Sequence, residues 1–331
     1  MPDKRNEPIT IGGVTVPPGR KKRIELPFAK IPTGSEAALP VQVINGRTAG
    51  PHVWISGAVH GDELNGVEIV RRVMKLMDAK TLRGAVIAVP IVNPLGFLTG
   101  SRYLSDRRDL NRAFPGSPRG STASRLAHLF TTEIVSQCSV GIDLHTATDH
   151  RINLPQIRAD IYDEETRRLA RAFAAPFTIH ARVRKGSLRH AATKQGKSVL
   201  LYEAGQAQRF DEPAIRFGVE GVMRTLRKLK MIEARLPRRP ATKEIHLTKW
   251  VRARRGGLAS IHVDLGDLVE EGDKLASISD AFATRPAAIR APATGWIIAR
   301  TLNPLVNPGD ALVHIASEEG RDSDEPAFQG R

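Results

Sequence analysis

The chain has 331 residues, 41% hydrophobic and 26% charged, a composition typical of globular proteins with a packed core. No apolar stretch approaches the roughly 20 residues of a membrane-spanning helix, and the first residues lack the apolar segment of a secretory signal. The single cysteine, Cys138, excludes an internal disulfide, so we expect a cytoplasmic protein with no membrane partner.

The formal net charge is +15, and an excess of positive charge can attract nucleic acids or small anionic molecules. The basic residues are scattered, however, and many fall on what look like exposed helix faces. Aromatic residues make up only 5% of the chain, so few can interleave with the basic ones. We therefore expect a solvated basic surface and no nucleic-acid partner. Nucleic-acid binding remains the alternative function from a different class.

The first 45 residues read as a lead-in of short strands. From residue 52 onward, apolar runs rich in β-branched residues alternate with segments of helical spacing. The predicted strands are 52–59, 84–92, 140–147 and 198–205, and the predicted helices are 65–78, 124–137, 164–176 and 212–230. This alternation predicts an α/β fold with a mostly parallel or mixed central sheet and helices on both faces.

The residue pattern of the chain changes after residue 230. Residues 234–244 are rich in proline and charge, and short strands with Gly-Asp turns follow them. We predict four segments: lead-in strands (1–45), a catalytic domain (46–236), a small β domain (237–317) and a disordered tail (318–331).

Polar side chains stand at the ends of three predicted strands. His60 and Glu63 follow the first strand, His145 ends the third, and Glu203 ends the fourth. In an open parallel sheet, the loops beyond the carboxyl ends of the strands form the binding crevice. Two histidines and one carboxylate are a common ligand set for catalytic zinc, with one position left for water. Glu203 would then act as the base that takes the proton of that water.

The loop after the second strand, residues 100–117, carries several arginines and an asparagine. A guanidinium matches a carboxylate in shape, so one arginine near a zinc site could hold a substrate carboxylate. Another could stabilise the oxyanion that forms when water attacks a carbonyl. By itself, the segment also reads as an ordinary surface loop of an arginine-rich protein.

The segments GAVHGDE, RDLNR, DLHTA and LYEAG together resemble the succinylglutamate desuccinylase/aspartoacylase family, zinc amidohydrolases related to the metallocarboxypeptidases. The resemblance covers roughly residues 45 to 230. It implies one zinc ion per subunit, bound by His60, Glu63 and His145, with Glu203 as general base and proton shuttle.

The same resemblance assigns roles in the arginine loop. It implies that Asn111 and Arg112 bind a substrate carboxylate, with Arg108 as a further substrate-binding candidate. Arg102 resembles the arginine that polarises the scissile carbonyl, although its spacing is slightly long, and Arg107 and Arg108 stay open for that role. Asp143 is either a group that orients a metal ligand or a structural acid.

The reaction that the resemblance implies is hydrolysis of the amide bond of a small N-acyl amino acid, in a homo-oligomeric protein. A zinc carboxypeptidase or an esterase on the same site is the alternative within enzymes. The C-terminal segment resembles biotinyl/lipoyl-type β domains, but residues 278–289 lack the carrier lysine. We therefore expect that segment to shield the site or to mediate assembly.

Overall fold

The computed structural model describes residues 4–31, 34–148 and 150–318. Its strands are β1 Ile9–Ile11, β2 Val14–Val16, β3 Arg20–Lys30, β4 Glu36–Asn45, β5 Thr48–Gly57, β6 Arg83–Val89, β7 Val140–Ala147, β8 Arg151–Ala159, β9 Phe177–His180, β10 Ser198–Gln206, β11 Lys243–Ile245, β12 Leu247–Arg252, β13 Gly257–Ile261, β14 Leu268–Val269, β15 Lys274–Ser279, β16 Ala287–Arg290, β17 Gly295–Thr301, β18 Leu305–Val306 and β19 Ala311–Ser317. Its helices are α1 Leu64–Leu76, α2 Pro94–Leu98, α3 Thr122–Glu133, α4 Glu164–Phe173, α5 Leu188–Thr193 and α6 Glu212–Lys228, with 3₁₀ turns at Leu110–Arg112 and Val135–Gln137. No described helix combines the length and apolarity that a membrane crossing would require.

The central sheet is mixed and has a parallel centre. Its main strand order is β12-β19-β17-β8-β10-β7-β5-β6-β4-β3. The pairs β6–β5, β5–β7 and β7–β10 are parallel, whereas β4 and β8 join this centre in antiparallel orientation. The predicted α/β class with a mixed central sheet is therefore confirmed.

Alternate residues of the central strands enter two different hydrophobic cores. On β6, Ala85, Ile87 and Val89 belong to one core, and Val86 and Ala88 belong to the other. The first core also takes residues from β1–β4, α3 and α5, and the second takes residues from α1, α4 and α6. Because both faces are covered, the central strands read as continuous apolar runs rather than as alternating ones.

The strand β8 was not predicted, and its sequence explains why. Pro155 interrupts the segment, and a proline usually argues against a strand within a sheet. In the structure one edge of β8 is divided between two partners: residues 151–153 pair with β17, and residues 156–159 pair with β9. Pro155 lies between these two stretches, so the ladder loses no hydrogen bond there.

The C-terminal part contains only strands among its described regular elements, β11 to β19. Five of them belong to the central sheet: β17 pairs with β8 and leads to β19 and β12, β14 pairs with β17, and β11 pairs with β9. The strands β13, β15, β16 and β18 form a separate four-stranded sheet, and a distinct hydrophobic core lies in this part of the chain. The predicted domain boundaries stay predictions, and residues 319–331 of the predicted tail lie outside the described residues.

Candidate metal centre and active site

Three of the predicted side chains meet at the carboxyl end of the parallel strands. His60 and Glu63 lie on the turn between β5 and α1, and His145 lies on β7. One ligand atom from each residue lies within 4.8 Å of the others, and all three residues are buried. The centroids of the two imidazole rings are 5.1 Å apart. The three donors are thus close enough to one another to share a cation.

Close backbone contacts explain the glycines around this turn. A Cβ on Gly66 would lie 2.6 Å from the carbonyl oxygen of Leu144, in the strand that carries His145. A Cβ on Gly61 would lie 2.0 Å from the carbonyl carbon of Gly96 in α2. Before the turn, Ala58 adopts a positive φ of 48°. The glycines allow the ligand-bearing turn to lie directly against its neighbours.

Both imidazoles point the same ring nitrogen at Glu63. The Nδ1 atom of His60 lies 2.6 Å from Glu63 Oε1, and the Nδ1 atom of His145 lies 2.9 Å from Glu63 Oε2. The opposite ring nitrogens face other carboxylates. His60 Nε2 lies 3.3 Å from Asp109 Oδ1, and His145 Nε2 lies 2.9 Å from Asp143 Oδ2. Such outer carboxylates fix the orientation and tautomer of metal-binding histidines.

The ionisation of these groups fits a cation site. Burial raises the pKa of Glu63, but the charges of His60 and His145 outweigh this and hold its pKa well below the usual range. Burial lowers the pKa of His145, yet Asp143 and Glu63 together raise it well above the ordinary value. Without a metal, these shifts favour the protonated form of His145 and, to a lesser degree, of His60 beside an ionised Glu63. A divalent ion would replace those protons and face two imidazole nitrogens and one carboxylate, the donor set that zinc prefers.

Glu203 lies beside the ligand group on β10. In the parallel pairing of β10 with β7, Glu203 is in register with His145. Its Oε2 atom accepts a hydrogen bond of 2.9 Å from Asn153 Nδ2 on β8. Burial raises the pKa of Glu203, although the charges of His145 and Arg158 oppose this effect. A carboxylate with a raised pKa can accept and return a proton near neutral pH.

Arg102 contacts both the ligand group and its supporting carboxylate. Its Nη2 atom donates to Asp109 Oδ2 at 2.9 Å, and its Nη1 atom lies 3.3 Å from His60 Nδ1. The guanidinium lines the cavity next to the three predicted ligands. Arg102 is therefore a hydrogen-bond donor of the cavity wall beside the candidate metal ligands.

Asn111 and Arg112 line the same cavity, on the 3₁₀ turn Leu110–Arg112. Asn111 Oδ1 accepts a hydrogen bond from the backbone N–H of Leu188, which fixes the turn against α5. Burial lowers the pKa of the Arg112 guanidinium. Arg108, by contrast, does not line the cavity: its side chain is 65% exposed and its Nε atom lies 3.5 Å from Asp106.

The cavity has a volume of about 360 Å³ and includes residues that the sequence analysis missed. Asn153 and Arg158 come from β8, Arg189 comes from α5, and Trp250 comes from β12 in the C-terminal part. None of them belongs to a recognised motif. For Asn153 and Arg158, a strand prediction over residues 151–159 would have been the signal, because such a strand could pair with β10. The sequence offers no comparable signal for Arg189 or Trp250.

The sequence profile of the succinylglutamate desuccinylase/aspartoacylase catalytic domain matches residues 49–229, more than half of the chain. The chain belongs to this family. The matched residues contain the ligand group, Glu203, Arg102 and the Asn111–Arg112 pair.

Relatives within the succinylglutamate desuccinylase/aspartoacylase family cover the chain to different extents. The N-alpha-acetyl-L-2,4-diaminobutyric acid deacetylase of Halomonas elongata is 29% identical over 310 residues, which is 87% of this chain and 90% of that protein. The succinylglutamate desuccinylase of Pseudomonas aeruginosa is 30% identical over 123 residues, 34% of this chain and 36% of that protein.

Solved structures of the family share the fold. The ectoine utilization protein EutE (DoeB) of Ruegeria pomeroyi superposes with a TM-score of 0.83 at 24% identity, covering 94% of this chain and 99% of that one. A succinylglutamate desuccinylase/aspartoacylase from Rhodobacter sphaeroides gives 0.81 at 24% identity, covering 91% of this chain and 96% of that one. Both superpositions extend well beyond residue 229, so the β-rich C-terminal part is shared.

Proposed function

We propose that the chain is a zinc-dependent hydrolase of the amide bond of an N-acylated amino acid. The position of Glu203 carries this proposal, because a carboxylate of raised pKa lies in register with His145 inside the cavity of the ligand group. The Halomonas relative, named as a deacetylase of an N-acetylated amino acid, supports the same reaction type.

In this proposal, His60, Glu63 and His145 hold the metal. A bound zinc ion supplies Lewis acidity, which makes water easier to deprotonate and a carbonyl easier to attack. The substrate carboxylate is held by the Arg112 guanidinium, with Asn111 contributing to the same corner of the cavity. This contact orients the amide bond between Arg102 and Glu203.

The residues of the chain then carry out the proton transfers. Glu203 accepts a proton from the attacking water as the new C–O bond forms. Arg102 stabilises the negative charge that develops on the carbonyl oxygen. Glu203 returns the proton to the amide nitrogen as the C–N bond breaks, which yields a carboxylic acid and an amine. Asn153 holds Glu203 in place through its 2.9 Å hydrogen bond.

The substitution Glu203→Gln tests the base. We expect kcat to fall by about 10²-fold or more, because the amide cannot accept the proton. Zinc content should stay at one ion per subunit, since Glu203 is not a proposed ligand. Glu165→Gln, at an exposed ion pair with Arg168 on α4, is the matched control and should keep full activity. Wild-type turnover by Glu203→Gln would refute the assignment.

The reaction class needs its own test. Purified protein should contain zinc and should hydrolyse members of a panel of N-acetyl and N-succinyl amino acids, with activity lost on chelation and restored by zinc. A panel of peptides and esters run beside it separates an amidohydrolase from a carboxypeptidase or an esterase. Cleavage of peptides alone would contradict the proposal.

A further inference from the structure

A second cavity lies between α4 and α6, apart from the candidate active site. It has a volume of about 690 Å³, and none of its described lining residues belongs to the active-site cavity. Most of its lining side chains are cationic: Arg167, Arg168 and Arg171 on α4, and Arg224, Arg227 and Lys228 on α6. Glu164 is the acidic residue in the described lining. Positive charge is therefore concentrated in this α4–α6 cavity, whereas elsewhere in the sequence it is scattered.

Carboxylates balance only part of that charge. Four of the arginines pair with acidic residues outside the lining: Arg167 and Arg171 with Glu244, Arg168 with Glu165, and Arg224 with Glu220. Within the described residues, no carboxylate lies at ion-pair distance from Lys228 or from Arg227, which donates to the backbone carbonyl of Ala234. Arg224 is only 6% exposed, and its Nη1 atom is buried without a hydrogen bond. The cavity thus has unused donors and cations for an anionic occupant.

The last described residue of the chain lies beside the strand that contacts this cavity. Glu318 follows β19, and its Oε1 atom lies 2.9 Å from Lys243 Nζ at the start of β11. The next residue of β11 is Glu244, whose carboxylate lies 2.5 Å from Arg167 and 2.7 Å from Arg171. Two consecutive residues of β11 therefore connect the point where the described chain ends with the arginines of α4.

The residues after Glu318 carry charge opposite to that of the cavity. Their sequence over 319–325, EGRDSDE, contains four acidic residues and one arginine. An extended chain advances about 3.3–3.6 Å per residue, so six residues beyond Glu318 span up to roughly 20 Å. This reach is about twice the roughly 10 Å spacing of packed layers. The acidic residues can therefore pass the edge of β11 and arrive at the α4–α6 cavity.

We propose that residues 319–325, the acidic tail segment, dock in the α4–α6 cavity and fasten the end of β19 to α4 and α6. A segment that is joined to the chain next to its site has a high effective concentration there, so weak individual contacts suffice to hold it. A free anion would have to compete with this tethered segment. The proposal replaces the predicted disorder of the tail for residues 319–325, and it does not depend on the proposed enzymatic function.

Disulfide formation in the full chain tests the docking directly. Ser323→Cys places a thiol in the acidic tail segment, and Ala172→Cys places one in the cavity lining. The native Cys138 is buried and should stay unreactive. With oxidised glutathione as the oxidant, we expect the bond between positions 172 and 323 to form readily, and high salt to slow it because salt screens the charges. Mass spectrometry of the digested protein identifies the bond.

Neutralising the tail provides the reference rate. The same two cysteines are combined with Asp322→Asn, Asp324→Asn and Glu325→Gln, which keep the length of the segment and remove three of its charges. We expect the disulfide to form at least tenfold more slowly in this chain, after correction for the reactivity of each thiol toward a small disulfide. Equal rates in the two chains would overturn the proposal.

The cavity side has its own variant and control. Arg227→Gln with Lys228→Gln removes two exposed cations of the α4–α6 cavity and should slow the disulfide at least fivefold. Arg20→Gln with Lys80→Gln removes two exposed cations of another basic cavity and should change the rate less than twofold. Because all four side chains are exposed, the fold should persist, which circular dichroism checks. Equal slowing by both pairs would contradict a defined site, since it would indicate general attraction to a basic surface.

Charge reversal tests direct pairing and identifies other occupants. Arg227→Glu with Lys228→Glu should slow the disulfide at least tenfold, and adding Asp324→Lys and Glu325→Lys should recover at least half of the original rate. The absence of any recovery would rule out pairing between these groups. If the disulfide forms independently of the tail charges, calorimetric binding of pyrophosphate to the unsubstituted chain would assign the cavity to a free phosphorylated ligand instead.

Discussion

At the scale of single residues, Glu63 is the centre of the candidate site. Its two oxygens lie 2.6 and 2.9 Å from the imidazoles of His60 and His145. Asp143 extends this arrangement, because its Oδ2 atom faces His145 and its Oδ1 atom accepts a 2.8 Å hydrogen bond from Ser56. The contacts from Ser56 to Asp143 and from Asp143 to His145 therefore fix the orientation of the His145 ring on the side away from Glu63.

The substitution Asp143→Asn should weaken zinc affinity about 10- to 100-fold, because His145 loses the charged partner that raises its basicity. Competition with a chromogenic chelator measures the affinity. Ser56→Ala keeps the carboxylate and should have a smaller effect. Unchanged affinity in Asp143→Asn would show that Asp143 is only a structural acid, the alternative that the sequence left open.

Zinc binding should release protons. Without metal, burial lowers the pKa of both His60 and His145, but the neighbouring carboxylates reverse this and raise both values. Each imidazole must lose its proton before it can bind zinc, so affinity should rise with pH until the raised imidazole pKa is passed and then level off. Calorimetry near neutral pH in two buffers of different ionisation enthalpy measures the release. Equal heats in both buffers would contradict this prediction.

At the scale of elements, the packing of α1 against β7 positions the ligands. Gly66 is buried in the first turn of α1, and its Cα lies against Leu144 on β7. Glycine within a helix normally costs stability relative to alanine. Its presence here follows from the close approach of helix and strand, which brings Glu63 to His145.

Gly66→Ala should therefore lower the free energy of unfolding by about 1–3 kcal/mol, because the added Cβ would lie 2.6 Å from Leu144 O. Zinc affinity should fall with it, since the turn that carries Glu63 must move. Urea titration and chelator competition measure the two effects. Gly256→Ala is the control, because its nearest new contact is 3.5 Å, and it should be nearly neutral. Stabilisation by Gly66→Ala would mean that helix propensity outweighs the contact.

At the scale of the whole molecule, the C-terminal part contributes to the cavity. The central sheet continues through β8 into β17, β19 and β12, and this brings Trp250 to the cavity wall. The indole stacks on His314 with a centroid distance of 4.3 Å, and the Arg151 guanidinium lies 5.6 Å from its ring centroid. The C-terminal strands are therefore part of the wall that a substrate would meet.

Trp250→Ala should raise KM about two- to tenfold, because it removes the indole from the cavity wall, and loss of one aromatic contact is worth about 0.5–1.5 kcal/mol. We expect kcat to change less, since the indole is not a proposed catalytic group. Trp250→Phe keeps an aromatic ring and should recover most of the affinity. Steady-state kinetics on an accepted N-acyl amino acid gives both constants, and an unchanged KM would exclude the C-terminal wall from substrate binding.

Local patterns predicted the centre of the fold and the ligand group. The apolar runs around β5, β6, β7 and β10 and the helical spacing of α1, α3, α4 and α6 follow from short-range periodicity. His60, Glu63 and His145 could be predicted as one group because they stand at the ends of predicted strands. The carboxyl ends of parallel strands lie at the same edge of a sheet. Strand β8 was missed, because the pairing on either side of Pro155 depends on two distant partners.

The sequence by itself determined the fold class, the family and the residues offered as metal ligands and base, since these depend on periodicity and on motifs a few residues long. Only the tertiary structure decided which arginines face the cavity, because a long side chain is directed by the elements that pack around it. It turned Arg108 toward solvent and enclosed Arg158 and Arg189. It also brought Trp250 from the C-terminal strands to the same wall, through hydrogen bonds between strands far apart in sequence.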